Sequence, residues 1–299
     1  MLTMLSAPSN LGLRPPAPGS VPGCAKAPEA LREAGLFRRF AGLGAVEAGV
    51  VLPGRYADDV RPGRLRNQEA IVDHARRLAG RLGRPYDDGD ATLVLGGDCG
   101  ILLGPALMLR ERGRFGLVHL DGHTDFRHPG NSDACASLGG EALAAVVGRH
   151  WPAVSAVDGP GPYFRPEDVV HAGCRDDDEE MTEVRAVLAA VIPSSEILGE
   201  GVAAAAERIL AVVARPELDG YWIHLDVDIL DPAHMPAVDS PDPGGLAPED
   251  LSGLLRRLAP GAAGAQVTIF DPDLDPHGEG AGVLTDVLVD GLGDLGTAT

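Results

Sequence analysis

Two short segments of the chain carry acidic side chains at alternate positions, directly after an apolar run. One segment has Asp121, His123 and Asp125, and the other has Asp226 and Asp228. Side chains two positions apart on a strand share a face and lie roughly 7 Å apart, so the members of each segment can converge. Four carboxylates and an imidazole gathered at one place repel one another unless cations lie between them. The pattern therefore predicts a metal site, with two ions.

Strands and helices must hold these residues in place, and short apolar runs alternate with helical patterns along the chain. We predict strands over 1–7, 91–95, 115–120, 169–172, 191–192, 221–225 and 266–270. We predict helices starting at 27 and over 65–81, 101–112, 142–147, 181–190, 202–213, 248–258 and 280–292. Continuous apolar strands that alternate with helices indicate a parallel sheet covered on both faces. With no repeat or linker, we expect a single α/β domain over 1–299.

The acidic segments follow predicted strands, and ligands in parallel sheets bind beyond the carboxyl ends of the strands. Oxygen-rich ligation favours Mn²⁺, Mg²⁺ or Fe²⁺ over the sulfur-rich sites that hold structural zinc. Two such ions about 3.5 to 4 Å apart lower the pKa of a water molecule, which indicates a hydrolase. The glycine-rich segment 96–100 lacks both the P-loop and the dinucleotide-binding pattern.

Composition excludes several other classes of protein. The formal net charge of −19 argues against binding to nucleic acid or to an anionic membrane. We find neither an apolar run long enough to span a bilayer nor a secretory signal. The four cysteines are scattered without CxxC spacing, so we expect them to be reduced and the protein to be cytoplasmic.

Four segments resemble the signature segments of the ureohydrolase family, which includes arginase, agmatinase and formimidoglutamase. They are Gly96-Gly97-Asp98, Asp121-Gly122-His123-Thr124-Asp125, Gly173-Cys174-Arg175-Asp176 and His224-Leu225-Asp226-Val227-Asp228-Ile229-Leu230-Asp231-Pro232. The resemblance implies a three-layer α/β/α sandwich with a mostly parallel sheet of about eight strands, and hydrolysis of a guanidino or amidino C–N bond in a small molecule. It also implies a homo-oligomer, a trimer or hexamer.

The resemblance implies a centre of two Mn²⁺ ions. Its ligands would be Asp121, His123, Asp125, Asp226, Asp228 and the residue at position 99. The family normally has His at position 99, whereas this chain has Cys99. Cys variants of this kind include amidinohydrolases that act on hydroxylated arginine, which this chain also resembles. A thiolate ligand adds negative charge and softness, so Fe²⁺ and Zn²⁺ become rivals to Mn²⁺. The alternative for Cys99 is a small buried apolar residue.

Two functional groups of the family are missing from their usual places. The loop that carries a proton-transferring His in arginases has none. The nearest titratable substitutes are His128 and Glu141, although the pattern favours ordinary solvated loop or helix residues at both positions. Ile269 stands where the family has a guanidinium-binding Glu. Asp271 or Asp273 is the candidate replacement, although Asp271 before Pro272 is also typical of an ordinary turn. Asp178 matches the family position that meets a substrate α-amine, although a helix cap is the alternative.

We therefore expect a metal-dependent amidinohydrolase in which Asp125 orients the nucleophilic water and helps to move a proton to the leaving amine. One rival hypothesis makes Cys99 a nucleophile that attacks the guanidino carbon, assisted by His123. The other is a metal-poor, non-catalytic homologue that binds a ligand or a partner.

Overall fold

Eight parallel strands form one sheet at the centre of the computed structural model, which describes residues 1–298. The strands are β1 (Leu2–Ala7), β2 (Val46–Val50), β3 (Ala91–Gly96), β4 (Gly116–Leu120), β5 (Val169–Ala172), β6 (Ala190–Ile192), β7 (Tyr221–Asp226) and β8 (Gly264–Thr268). Their order across the sheet is β2-β1-β3-β8-β7-β4-β5-β6. The predicted parallel sheet is confirmed, with all pairings parallel.

Helices follow most of the strands. They are α1 (Ala27–Glu33), α2 (Leu36–Gly42), α3 (Gln68–Asp87), α4 (Leu103–Arg110), α5 (Ala142–Val146), α6 (Pro152–Ser155), α7 (Met181–Val187), α8 (Ser194–Glu200), α9 (Val202–Val213), α10 (Pro248–Leu258) and α11 (Glu279–Leu292). None of the helices in residues 1–298 combines the length and apolar character needed to cross a bilayer.

The strands divide their side chains between two apolar cores. In β3, Leu93 and Leu95 pack into a core with helices such as α10 and α11, whereas Val94 packs into a second core with α3 and α4. Alternation of side chains along a strand sends neighbours to opposite faces, which explains the division. The chain is thus the three-layer sandwich that the resemblance implied.

Several predicted boundaries differ from the structure. The predicted strand over 266–270 lies at Gly264–Thr268, because Ile269 has a left-handed φ of 75° and takes the chain out of the sheet. The predicted helix over 101–112 starts with a 3-10 turn, Cys99–Leu102, before α4. Strand β2 was missed because its Val46–Val50 sequence is largely exposed and lacks an apolar pattern.

Candidate metal centre

The predicted ligands meet at the carboxyl end of the sheet. Cys99 begins the 3-10 turn after β3, Asp121 directly follows β4, and Asp226 is the last residue of β7. Strands β4 and β7 are neighbours in which Leu120 pairs with Leu225, so the next residues, Asp121 and Asp226, lie side by side. The acidic segments lie far apart in the sequence, and strand pairing brings them together.

Two groups of ligand atoms overlap at Asp121. In the first, one atom each from Cys99, Asp121, Asp226 and His224 lie within 4.8 Å of one another. In the second, the atoms come from Asp121, His123 and Asp228 and meet the same limit. A carboxylate shared by two such groups is the arrangement expected of a bridging ligand between two ions.

Asp125 extends the cluster from its left-handed position, φ 47°, in the loop after β4. One ligand atom of Asp125 lies within 4.8 Å of ligand atoms of Asp121 and His119. The Oδ2 atoms of both Asp121 and Asp125 are buried without a hydrogen-bond partner among the described residues. Buried carboxylate oxygens without donors fit a cation as their partner.

Backbone N–H groups fix the directions of the other carboxylate oxygens. The Oδ1 atom of Asp121 accepts from the N–H of His123 at 2.7 Å, and Oδ1 of Asp226 accepts from the N–H of Asp228 at 2.9 Å. The Oδ1 atom of Asp228 accepts from the N–H of Gly122 at 2.9 Å. Each of these carboxylates therefore keeps its second oxygen for the interior of the cluster.

The carboxylates of the cluster destabilise one another. Burial, followed by repulsion from neighbouring aspartates, raises the pKa of Asp121, Asp125 and Asp226 well above the ordinary value. Burial also acts to raise the pKa of Asp228, but the hydrogen bond and charge of His123 outweigh it and lower that pKa. Divalent cations would remove this conflict, because they favour the ionised form of every carboxylate around them.

The imidazole of His123 lies between two carboxylates. Its Nδ1 is 2.8 Å from Oδ2 of Asp228, and its Nε2 is 3.2 Å from Oδ2 of Asp242. Although burial lowers the pKa of His123, the hydrogen bond and charge of Asp228 raise it to about 10. A ligating histidine commonly donates its other N–H to a carboxylate. Asp242 fits that role, leaving Nδ1 on the side of the cluster.

Cys99 is buried within the cluster and behaves as a thiol. Its Sγ donates to Oδ2 of Asp226 at 2.8 Å and lies 3.3 Å from Oγ1 of Thr268. Burial and the charges of Asp226, Asp125 and Asp121 raise the pKa of the thiol well above its ordinary value. A cysteine nucleophile needs a lowered pKa and access to substrate, so the geometry favours a role for Cys99 beside a cation over one as a nucleophile.

Glu141 and His128 both form hydrogen bonds with residues outside the metal cluster. Glu141 is fully buried and accepts hydrogen bonds from the N–H groups of Ala136 and Ser137 and from Nε2 of His150. His128 lies 3.1 Å from Glu183 on α7 and accepts from the N–H of Gly130. These contacts favour structural roles, because the polar atoms of both side chains already have partners.

The two predicted substrate-binding carboxylates, Asp178 and Asp271, differ in whether hydrogen bonds leave an oxygen available to a ligand. Oδ2 of Asp178 accepts from the N–H of Thr124 at 2.6 Å, which brings this half-buried side chain beside the loop of His123 and Asp125. Asp271 is buried, and its oxygens accept from the N–H groups of Gly23 and Asp273. Oδ1 of Asp178 therefore stays available to a ligand, whereas Asp271 uses both oxygens to link the segment at Gly23 to its own loop.

Sequence patterns gave no signal for two further acidic residues of the site, Asp239 and Asp242. Both lie in the loop after β7, which Asp231 closes by accepting from the N–H groups of Ala233 and Gly244. Asp239 reaches solvent, yet the surrounding protein and the charge of Asp228 raise its pKa to about 6. Only the folded loop brings these residues to the cluster, so spacing along the chain could not reveal them.

Several known proteins are similar to this chain in sequence and structure. The sequence model of the Arginase family matches residues 16–292. An arginase from Bacillus caldovelox is 30% identical over 224 residues, which is 74% of each chain. N(omega)-hydroxy-L-arginine amidinohydrolase from Streptomyces lavendulae is 31% identical over 169 residues, covering 56% of this chain and 55% of the relative. The native structure of the Bacillus caldovelox arginase matches with a TM-score of 0.86 and 26% identity, covering 100% of this chain and 98% of that one.

Proposed function

This chain belongs to the arginase family, and we propose that it is a hydrolase that uses two divalent cations to cleave the amidino C–N bond of a small guanidino compound. The observation that carries the proposal is the pair of ligand groups that share Asp121. Hydroxylated arginine is the substrate class that we favour, since the relative from Streptomyces lavendulae is an N(omega)-hydroxy-L-arginine amidinohydrolase.

We assign the ligands from the two groups, leaving out His224 and adding Asp125, whose buried Oδ2 has no hydrogen-bond partner among the described residues. Cys99, Asp121, Asp125 and Asp226 would hold one ion, and Asp121, His123 and Asp228 would hold the other. Two ions so bound would lower the pKa of a water molecule and thereby supply the nucleophile. The oxygen-rich donor set favours Mn²⁺, and the sulfur of Cys99 makes Fe²⁺ or Zn²⁺ the competing choice.

The residues around the cluster would bind and orient the substrate. Asp178, with one oxygen held by Thr124 and one open, would accept the α-amine of an amino-acid substrate. Asp239 is exposed beside the cluster and offers the carboxylate for the guanidinium that Asp271, enclosed by backbone N–H groups, does not offer. An unpaired guanidinium in a buried site costs several kcal/mol, so one such carboxylate is needed.

Proton movement is assigned to Asp125. Its Oδ2 atom is buried at the cluster without a hydrogen-bond partner, so Asp125 can orient a nucleophile and later pass a proton to the leaving amine. His128 and Glu141 are the alternative proton carriers, and both would first have to break their contacts with Glu183 and His150.

A panel of guanidino compounds tests the proposal. The protein is stripped with EDTA, reloaded with Mn²⁺, Fe²⁺ or Zn²⁺, and scored for release of urea or hydroxyurea from arginine, agmatine and hydroxylated arginine. We expect EDTA to abolish turnover and metal to restore it. Asp228→Asn should lose both turnover and metal, whereas Asp231→Asn, an acid of the same segment that bonds only to backbone N–H groups among the described residues, should retain them.

Two results would contradict the proposal. EDTA-resistant turnover that disappears in Cys99→Ala would indicate a thiol nucleophile. Fewer than one ion per chain after purification in Mn²⁺, together with no turnover of any compound, would indicate a metal-poor binding protein. The homo-oligomeric state stays a prediction, which sedimentation of the metal-loaded protein would measure.

A further inference from the structure

Four buried polar side chains form a row across the sheet, directly below the carboxylates. His171, His119, His224 and Gln266 occupy paired positions on the neighbouring strands β5, β4, β7 and β8. All four side chains are completely buried. Because positions two apart on a strand share a face, this row lies on the same face as Asp121, one layer deeper in the sheet. The row and the metal cluster are therefore two successive polar layers.

The hydrogen bonds of the row determine which nitrogen of His224 carries the proton. Nε1 of Trp222 donates to Oε1 of Gln266 at 3.2 Å, and an indole nitrogen can only donate. The amide nitrogen of Gln266 consequently faces Nδ1 of His224, at 2.8 Å. An amide nitrogen also only donates, so Nδ1 accepts and carries no proton. With Nδ1 accepting from Gln266, the ring proton of His224 lies on Nε2.

The protonated Nε2 of His224 faces a carboxylate of the cluster. It lies 3.9 Å from Oδ2 of Asp121, and both atoms are buried without a hydrogen-bond partner among the described residues. The ring of His119 stacks on His224, with centroids 4.5 Å apart and planes 18° apart, and its Nε2 lies 3.7 Å from the same oxygen. This stacking holds His224 in place below Asp121.

We propose that His224 is a positioning residue that directs its Nε2–H at Oδ2 of Asp121, and that it is not a metal ligand despite its place among the ligand atoms of Cys99 and Asp226. A ligating imidazole presents a lone pair to the metal and donates its other N–H to a neighbour. At His224 the nitrogen that faces the cluster, Nε2, carries the proton, and the lone pair of Nδ1 faces Gln266 instead. The inference rests on the proposed function to the extent that Asp121 holds a cation.

The donor has a consequence for the charge of the centre. Four aspartates and the Cys99 thiolate exceed the charge of two divalent ions by one negative unit. An N–H directed at a shared carboxylate offsets part of that excess, because it stabilises negative charge on Asp121 without adding another ligand.

Histidine tautomers can be read directly by NMR. Protein labelled with ¹⁵N-histidine is recorded by long-range ¹H–¹⁵N correlation, both metal-free and loaded with Zn²⁺, and the signals of His224 are identified by their absence in His224→Leu. We expect a pyridine-type Nδ1 and a pyrrole-type Nε2 in both samples. A pyridine-type or zinc-shifted Nε2 would overturn the inference. The metal-free sample reports the tautomer without any metal. A failure of the proposed metal chemistry can therefore be distinguished from a failure of the inference about His224.

Binding of Co²⁺ separates positioning from ligation. We expect His224→Leu to bind Co²⁺ roughly tenfold more weakly while its visible bands, at saturation, keep the wild-type positions. His123→Leu, which removes a proposed ligand, should shift those bands. His171→Leu is the matched control, since His171 is equally buried in the same row but is bonded to His119 at the end away from Gln266. Unchanged affinity in His224→Leu, or a band shift like that of His123→Leu, would contradict the inference.

Discussion

Cys99 sets this chain apart from the usual ligand pattern of its family. The side chain is buried, and its thiol bonds to Asp226 at 2.8 Å, so it stands within reach of any ion that Asp226 binds. Loss of the thiol proton on metal binding would add one negative charge that a histidine would not add. The residue at position 99 would thus influence both the charge and the metal preference of the proposed centre.

We predict that Cys99→His increases the affinity for Mn²⁺ by roughly tenfold, or about 1.4 kcal/mol, because a neutral nitrogen replaces a soft, charged sulfur. Titration with Mn²⁺ measures the change, and the near-ultraviolet charge-transfer band of the Co²⁺-loaded protein should vanish. Cys99→Ser is the control for loss of the thiolate at nearly constant size. Unchanged metal content and activity in Cys99→His would remove Cys99 from the ligand set.

Glu141 illustrates how contacts define a role that residue type leaves open. Its carboxylate accepts from two backbone N–H groups and from Nε2 of His150, whose Nδ1 accepts from the N–H of Trp151. The histidine must therefore donate to Glu141. A glutamine at this position would bring an N–H group against the N–H of His150.

We predict that Glu141→Gln lowers the free energy of unfolding by about 2 to 4 kcal/mol, because a buried charge-assisted hydrogen bond becomes a contact between two donors. Urea denaturation of the metal-loaded protein measures it. Glu183→Gln is the matched control: this carboxylate also accepts from a histidine but is partly exposed, so its loss should cost less than about 1 kcal/mol. Equal losses in the two variants would contradict the buried role of Glu141.

Strand β8 joins the two halves of the sheet that carry the cluster, since it lies between β3 and β7. Cys99 follows β3, and the acidic segments follow β7 and β4, so close packing at β8 decides the distance between them. Gly264 is the first residue of β8 and lies against the ring of Trp222. A Cβ atom at Gly264 would lie 2.3 Å from Cζ3 of Trp222 and 2.7 Å from the carbonyl oxygen of Thr92.

We predict that Gly264→Ala destabilises the protein by about 1 to 3 kcal/mol through overpacking, and that it weakens metal binding because β3 and β7 are pushed apart. Thermal unfolding and Mn²⁺ titration measure the two effects. Gly282→Ala in α11 is the control, because a Cβ there meets no atom within 4 Å. That control should be neutral or stabilising by about 1 kcal/mol, and equal losses in the two variants would argue against overpacking.

Repulsion between buried carboxylates is concentrated at the carboxyl end of the sheet. In the metal-free protein, burial and mutual repulsion raise the pKa of Asp121, Asp125 and Asp226 above their values in the unfolded chain. The folded state consequently binds more protons than the unfolded state. These groups contribute stability below the unfolded pKa, and that stability is lost as the pH rises through the folded pKa.

We predict that the increase in Tm caused by Mn²⁺ is larger at about pH 8 than at about pH 5, because metal binding requires deprotonated ligands and removes their repulsion. Differential scanning fluorimetry of EDTA-treated and Mn²⁺-loaded protein measures the difference at each pH. Asp228→Asn should show a smaller increase at both values. An increase that does not change with pH would show that these carboxylates do not exchange protons for metal.

Much of the architecture was readable from local patterns. Apolar runs such as 91–95 and 221–225 are long enough to identify buried parallel strands, and β3 and β7 were predicted almost to the residue. Strand β2 and helix α8 (Ser194–Glu200) were missed, because the first is an exposed edge strand and the second is a short polar helix. Their formation depends on contacts with the rest of the molecule and not on local periodicity.

The sequence alone was enough to place acidic side chains at the ends of buried strands and to identify the family, because both depend on residues close together in the chain. Tertiary structure decided which of those residues share a site. Pairing of β4 with β7 brought Asp121 beside Asp226, folding of the 231–247 loop brought Asp242 to His123, and packing enclosed Glu141. Such contacts join distant positions, so spacing along the chain does not contain them.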